Sequence, residues 1–441
     1  MNSQTNNANR FYIHTLGCKV NQYETQAMRE ILIGKGFKEC ASRDIADIYI
    51  LNTCTVTEKA DRESRYWIGM FHKTNPKAKI VVTGCYAENN AEEILFLPGI
   101  TSIIKNEDKN RIAEILDPEL KGSGSDQVKP LSITDFKGHT KAFIKIQDGC
   151  ENRCAYCKVP FVRKSLVSKP IDDILTEARS LIDRGFKEIV LTGICLGAWG
   201  KDIFPHEMAS EVGLSRAGIV DVLKAIDKIG GDFRIRISSI EPKYVTDELI
   251  ELVSGSKRIC KHLHIPLQSG DDEVLARMNR QYTSSEYFGL VHKAKSKIKD
   301  LAITTDVLIG FPGEGEESFR NTVSLIKDVV PLRTHIFTFS RRKGTAAYDM
   351  PQETKEFDLK KRYYELKVAS LATSFLYRKE YLGKKLNILI ESKRDKASGL
   401  LAGYSDNYIK TLIKGPDDIM KRIVPIKVDD MTLLHTLGSY E

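Results

Sequence analysis

Two successive stretches of this chain alternate short apolar runs with longer segments of helical period, and that alternation leaves little choice of fold. In the first stretch the runs 11–16, 47–51 and 79–83 are apolar almost throughout, as strands buried on both faces are. Residues 21–33 and 57–72 between them have helical length and periodicity. A doubly wound parallel sheet is expected over residues 10–118. In the second stretch the runs 142–147, 188–192, 234–238, 262–267, 303–309 and 334–339 alternate with helical segments. Six strands fall short of the eight that close a barrel, so a partial (β/α)6 barrel is expected over residues 136–368. Past about residue 370 the pattern changes to short runs at close spacing, 386–391, 399–404, 408–413, 422–428 and 431–435, with turn residues between them. These predict a small antiparallel β-barrel over residues 370–438. Residues 117–130, rich in Gly, Ser and Pro, read as the linker between the first two units. The whole is an α/β multidomain chain, as 441 residues allow.

The nine cysteines give this frame its chemistry. An odd number in a large chain without an export signal argues for reduced thiols used as ligands. Cys150, Cys154 and Cys157 share one loop after the first strand of the second stretch, where such folds place their chemistry. Three thiols hold three irons of a cubane and leave the fourth open to another ligand. A structural zinc site needs a fourth ligand, normally from a second C-x-x-C or a His pair, and neither is present. Cys18, Cys54 and Cys85 each follow one of the three strands of the first stretch, so topology brings them to one sheet edge. A second cluster with an open iron is the reading of that coincidence; three separately buried small residues is the bland alternative. Cys40, Cys195 and Cys260 have no such arrangement and read as packing residues.

The rim that carries the Cys150 loop also carries Gly193, Gly197, Ser239, Glu241, Gln268 and Gly310, all just past strands. Glycine there permits close approach of backbone to a ligand, and together these residues outline a nucleotide-like pocket. The polar N-terminus lacks an apolar signal region and no apolar run approaches about eighteen residues, which predicts a cytoplasmic protein without a membrane partner. A formal charge of +8 is compatible with a polyanionic partner without requiring one. The approach to the small barrel is basic, with Lys360, Lys361, Arg362, Arg378, Lys379, Lys384 and Lys385, and Tyr377, Tyr381, Tyr404 and Tyr408 are candidates for stacking on bases. From the residues alone, a solvated charged face with core tyrosines explains them equally well.

The spacing of Cys150, Cys154 and Cys157 resembles that of the radical S-adenosylmethionine superfamily. More of the chain is distinctive: His14-Thr-Leu-Gly-Cys-Lys-Val-Asn-Gln-Tyr-Glu24, Leu51-Asn-Thr-Cys-Thr-Val-Thr57, Gln147-Asp-Gly-Cys-Glu-Asn-Arg-Cys-Ala-Tyr-Cys157, Arg236-Ile-Ser-Ser-Ile-Glu-Pro242 and His262-Leu-His-Ile-Pro-Leu-Gln-Ser-Gly-Asp271. These runs resemble the methylthiotransferase family, over nearly the whole chain, and the first and fourth favour its branch acting on threonylcarbamoyladenosine beside the tRNA anticodon. The resemblance implies a methylthiotransferase N-terminal domain, a radical core and a C-terminal TRAM barrel that binds tRNA. It implies two 4Fe-4S clusters, with Cys150, Cys154 and Cys157 holding the radical-generating one and Cys18, Cys54 and Cys85 an auxiliary one that carries the sulfur. S-adenosyl-L-methionine would serve as methyl donor and as radical source, with electrons from a flavodoxin or ferredoxin. The carbon attacked has no acidic hydrogen, which is why radical chemistry is needed. Lys164 stands where the family usually has Gly, and Cys195 where its rim loop has Asn or Ser; both put local pocket detail in question. Related readings are a methylthiotransferase acting on isopentenyladenosine in tRNA or on a ribosomal-protein aspartate, and an iron-sulfur RNA-binding module without turnover.

Overall fold

The computed structural model describes residues 9–120, 130–203, 218–351 and 355–440. Most of the expected linker therefore lies outside the described residues. The chain divides into two compact units, the first comprising Met1–Lys137, Gly149–Glu151 and Cys157–Ser165, the second Gly138–Asp148, Asn152–Tyr156 and Leu166–Glu441.

The first unit is built on a parallel sheet of β1 (Arg10–Thr15), β2 (Lys38–Glu39), β3 (Ile48–Thr53), β4 (Lys79–Gly84) and β5 (Ile100–Ile104), in the order β2-β1-β3-β4-β5. All six residues of β3 are buried, which explains its unbroken apolar run. Side chains alternate between the faces. Tyr49 and Leu51 pack with Ile68 and Phe71 of the helix Glu58–Thr74, while Ile48 and Ile50 pack with Met28 and Leu32 of the helix Lys19–Gly34. Each fully buried aliphatic side chain contributes about 1.5–3 kcal/mol, so both helices are held to their faces. Thr57 caps the second helix, its hydroxyl accepting from the Ala60 amide. The two-residue β2 and the edge strand β5 were not anticipated.

In the second unit β6 (Ala142–Asp148), β8 (Glu188–Gly193) and β9 (Arg234–Ile237) are parallel, and so are β10 (His262–His264), β11 (Ala302–Ile309) and β12 (Arg333–Thr338). The two sheets are joined by isolated parallel bridges, Ile235 with Ile259 and Ser239 with His264. That yields the expected six-stranded partial barrel. A short β7 (Val167–Ser168), unforeseen, adds antiparallel to β6.

The C-terminal strands close a barrel in the order β13-β14-β15-β17-β16, from β13 (Lys385–Ile390), β14 (Leu401–Ser405), β15 (Lys410–Lys414), β16 (Ile423–Met431) and β17 (Thr436–Ser439). The barrel is not wholly antiparallel, since β15 and β17 run parallel. The fifth strand is not 431–435: β16 extends to Met431, the chain turns where Thr432 N–H donates to the His435 carbonyl, and β17 begins at Thr436. The helix Glu356–Lys379 is unbroken through 368–370, where the sequence suggested a division, and delivers Tyr377 to the core of the barrel. Among the described residues no helix is long and apolar enough to cross a membrane.

Candidate functional site

β1, β3 and β4 are neighbours in the sheet, and each hands the chain to a cysteine. Cys18 precedes the helix Lys19–Gly34, Cys54 follows β3 directly, and Cys85 opens the short helix Cys85–Asn89. The three strand ends are tied together. Asn21 Nδ2 donates to the carbonyls of Leu16 and Thr53, both at 2.8 Å, and the Thr53 hydroxyl donates to the Thr83 carbonyl at 2.6 Å. Gly17 has φ +97°, and a Cβ there would lie 2.8 Å from Cys54 Sγ. Only glycine fits both the backbone and the space.

Burial pushes the Cys54 thiol up to about 12, against a hydrogen bond from the Val56 amide, and the neighbouring Cys85 and Cys18 raise it further. Cys18 is an exposed residue, yet the protein packed around its sulfur still raises the thiol, opposed by the Asn21 amide and the charge of Arg163. Thiols that raise one another do not all deprotonate unaided; a bound metal compensates them and takes them as thiolates.

Beneath them lies a buried charged group that the sequence did not reveal. The Arg163 guanidinium forks onto Glu24, Nη1 to Oε1 at 2.8 Å and Nη2 to Oε2 at 3.0 Å, and its Nε donates to Cys85 Sγ at 3.4 Å. Lys109, fully buried, pairs with the same carboxylate and donates to Asn52 Oδ1 at 3.2 Å. Burial lowers the Lys109 amine, with Glu24 opposing. The available signal was Glu24, an acid on the otherwise buried face of a helix that begins at a cysteine.

Cys150 and Cys157 belong to the first unit and Cys154 to the second; all three are partly exposed and free of disulfides. Around Cys154 the loop is pinned. Ala155 N–H donates to the Met278 carbonyl at 2.9 Å, Asn279 Nδ2 to the Arg153 carbonyl at 2.7 Å, and Ala347 N–H to the Ala155 carbonyl at 2.8 Å. Arg280 donates to Cys154 Sγ at 3.2 Å and is ion-paired with Glu241. Glu241 therefore orients a sulfur's hydrogen-bond donor.

The other rim residues have protein neighbours. A Cβ on Gly197 would strike the Tyr244 ring at 2.3 Å, one on Gly310 would meet Leu359 at 2.2 Å, and one on Gly193 would come within 3.1 Å of Gln147. Packing requires Gly197 to be glycine, and the backbone requires it at Gly310, whose φ is +73°. Ser239 bridges to His264, and Gln268, at φ +66°, donates its amide to the Asp306 carbonyl at 2.8 Å. Nearby, on adjacent strands, His264, Asp306 and His335 form a polar cluster that sequence reading missed. His264 Nδ1 meets Thr304 Oγ1 at 2.9 Å and Nε2 meets Asp306 Oδ2 at 3.2 Å, so both ring nitrogens are engaged. Its signal was the period-2 placement of polar residues in β10, β11 and β12.

The tyrosines expected to stack on bases are used internally. Tyr377 and Tyr381 are buried, and Tyr377 donates to the Asp300 carbonyl at 2.8 Å. Tyr408 stacks on His262 with ring centroids 4.3 Å apart, and Lys141 lies 4.1 Å over the Tyr404 ring. Arg362 and Arg378 are buried too, the first paired with Glu314 at 3.0 Å. Lys360, Lys361, Lys379, Lys384 and Lys385 are exposed.

Residues 10–104 match the uncharacterized protein family UPF0004 and residues 144–326 the radical SAM superfamily. Among curated proteins, the chain is 36% identical over 428 residues to the threonylcarbamoyladenosine tRNA methylthiotransferase MtaB of Bacillus subtilis, covering 94% of this chain and 92% of that one. The chain belongs to the methylthiotransferase family. As a member it is a radical S-adenosylmethionine enzyme that transfers a sulfur-containing group. It is also 32% identical to the tRNA-2-methylthio-N(6)-dimethylallyladenosine synthase of Clostridium tetani, over 97% of this chain and 95% of that one. Among solved structures, the radical S-adenosylmethionine methyltransferase TsrM of Kitasatospora setae aligns with a TM-score of 0.55 at 14% identity over 77% of each chain, a likeness of fold alone. Both departures from the family pattern are placed: Lys164 points to solvent beside the buried Arg163, and Cys195 is buried, its amide donating to Gln147 Oε1 at 2.7 Å.

The residues fit an iron-sulfur cluster in this methylthiotransferase. The Cys18, Cys54 and Cys85 set offers three soft donors, and each sulfur has a hydrogen-bond donor of its own, from Asn21 N–H, Val56 N–H and Arg163 Nε–H. Such donors stabilise thiolate sulfur and tune the cluster it holds.

Proposed function

We propose that the protein converts N6-threonylcarbamoyladenosine next to the anticodon of tRNA into its 2-methylthio derivative, in the cytoplasm. The reading rests on two cysteine triads in a chain whose relative at 36% identity bears that name. Cys150, Cys154 and Cys157 hold the radical-generating 4Fe-4S cluster, and Cys18, Cys54 and Cys85 hold the auxiliary one. When bound, these clusters with S-adenosyl-L-methionine supply the radical and the methylated sulfur that ordinary acid-base groups cannot. The chain's own part is placement. Arg280, oriented by Glu241, steadies Cys154, and Asn21 and Thr53 fix the three strand ends that present the auxiliary thiols. Gly193, Gly197, Ser239, Glu241, Gln268 and Gly310 form the rim at which S-adenosyl-L-methionine binds. Electrons come from a flavodoxin or ferredoxin.

The anticodon stem-loop is held by exposed lysines along the helix Glu356–Lys379 and at the start of the C-terminal barrel rather than by the barrel's tyrosines. Lys360, Lys361, Lys379, Lys384 and Lys385 are suited to phosphate contact. The second reading, dimethylallyladenosine as substrate, is favoured by the relative from Clostridium tetani. Nucleoside mass spectrometry of bulk tRNA from cells lacking this protein separates the two. Loss of 2-methylthio-threonylcarbamoyladenosine with the dimethylallyl derivative unchanged is expected, and the opposite result overturns the assignment.

A further inference from the structure

Arg163 occupies the same short segment as Cys157, yet its guanidinium is spent on the other triad. Its side chain is 1% exposed. Nη1 and Nη2 take Glu24, Nη2 also donates to Asn21 Oδ1 at 3.3 Å, and Nε is left for Cys85 Sγ. Arginine does not give up its proton in a protein, whatever its surroundings. Glu24 is shared with Lys109, so the one carboxylate answers two cations, and the Nε side of the guanidinium faces sulfur.

Stability alone does not account for the arrangement. A buried ion pair is roughly neutral against well-packed hydrophobic residues, because desolvation offsets the attraction. A cation that donates a hydrogen bond to a cluster sulfur does something a hydrophobic residue cannot: it favours the more negative, reduced state of the cluster. We propose that Arg163 is a positioning residue that holds Cys85 in place and raises the reduction potential of the auxiliary cluster through its Nε–H hydrogen bond. Asn21 serves both parts of the device, since its amide nitrogen ties the loops of Cys18 and Cys54 while its oxygen accepts from Arg163. This inference rests on Cys18, Cys54 and Cys85 as cluster ligands.

The test uses the full chain carrying C150A, C154A and C157A, in which the auxiliary cluster is the one that remains. Iron is counted after anaerobic reconstitution, and the midpoint is read by dye-mediated titration with dithionite, followed by electron paramagnetic resonance. R163Q in this background is expected to shift the midpoint at least 59 mV more negative, a tenfold loss in the one-electron reduction constant. R163K keeps the charge but loses the fork, and is expected to lie between the two. If R163Q does not fold by circular dichroism, R163K decides. An unmoved midpoint in an iron-loaded variant overturns the inference while leaving the cluster assignment intact. Absence of iron from the parent itself overturns both.

Discussion

Replacing Glu188 by Gln should loosen the C-terminal barrel from the sheet on which it rests. Glu188 is fully buried and accepts from Arg234 Nε at 2.6 Å and from Arg236 Nε at 2.7 Å. Those two guanidiniums continue outward to the barrel, Arg234 to the Tyr404 carbonyl at 2.8 Å and Arg236 to those of Ser405 at 3.0 Å and Asp406 at 2.9 Å. Removing one member of a buried pair costs about 3–5 kcal/mol, because the partners keep their charge. Glutamine keeps the shape and one acceptor, so the lower end, about 3 kcal/mol, is expected, roughly a hundredfold. Unfolding of a chain with two units is not two-state, which makes a melting temperature the wrong measure. Amide exchange in β14 is the right one, and protection there should fall about a hundredfold in E188Q. The pH dependence has a definite sign. Burial by itself would raise the Glu188 carboxyl, but the charges of Arg236, Arg234 and Lys141 outweigh it and hold it well below the usual carboxylate range. A depressed carboxyl stabilises fully above its unfolded value of about 4.3 and loses that contribution as pH falls toward the folded value. The difference between wild type and E188Q should therefore shrink below about pH 4. Equal exchange in the two proteins at neutral pH would refute the role given to Glu188.

Converting Cys150, Cys154 and Cys157 to Ala should leave one cluster's worth of iron and abolish 5′-deoxyadenosine formation, read by iron assay and chromatography; full iron retention or continued cleavage would sink the division of roles. Cys18→Ala, Cys54→Ala and Cys85→Ala should each stop methylthio transfer yet spare reductive cleavage of S-adenosylmethionine, and joint loss with an intact circular dichroism spectrum counts against two separable sites. Gly17→Ala carries a backbone cost of about 1–3 kcal/mol at φ +97° and crowds Cys54, so auxiliary iron should be lost in a chain that still folds. K384E with K385E should flatten the salt dependence of tRNA filter binding by up to about 0.9 per lost phosphate contact, and an unchanged slope places the RNA elsewhere. Truncation after Ala369 is a poorer probe, because it severs a helix whose Tyr377 lies in the barrel core.

The sheet of the first unit was legible because its central strand is buried on both faces and so carries no polar alternation to confuse with a helix. In the six-stranded partial barrel β8 and β11, buried nearly throughout, were legible for the same reason, whereas β9, β10 and β12 mix polar and apolar residues and were legible as short runs between helical segments. The short edge strands were not: β2 and β7 have two residues each and are made by pairing with a neighbour rather than by any pattern of their own. The last strand was misplaced by a few residues because Met431-Thr-Leu-Leu-His435 is apolar enough to read as a strand. In fact Leu433 and Leu434 are exposed on a turn closed by Thr432 and His435. Apolar content marks burial only on average, and a hydrogen-bonded turn overrides it.

The candidate ligands Cys18, Cys54 and Cys85 stood out because cysteines after successive parallel strands have one shared edge to occupy. Their supporting shell did not. Arg163 and Glu24 are separated by 139 residues, and Lys109 and Glu24 by 85, so nothing local relates them. Nor does residue type help, since arginine, glutamate and lysine are mostly exposed and read as surface. The tyrosines failed in the opposite direction: aromatic and basic residues in one segment have the composition of an RNA-binding face, yet His262, Lys141 and Arg236 lie close to Tyr404 or Tyr408 and occupy their ring faces. A stacking platform needs a free ring face, which composition does not report. What remains for phosphate is the set of lysines that the fold leaves exposed, and their charge acts whether or not an aromatic stands beside it.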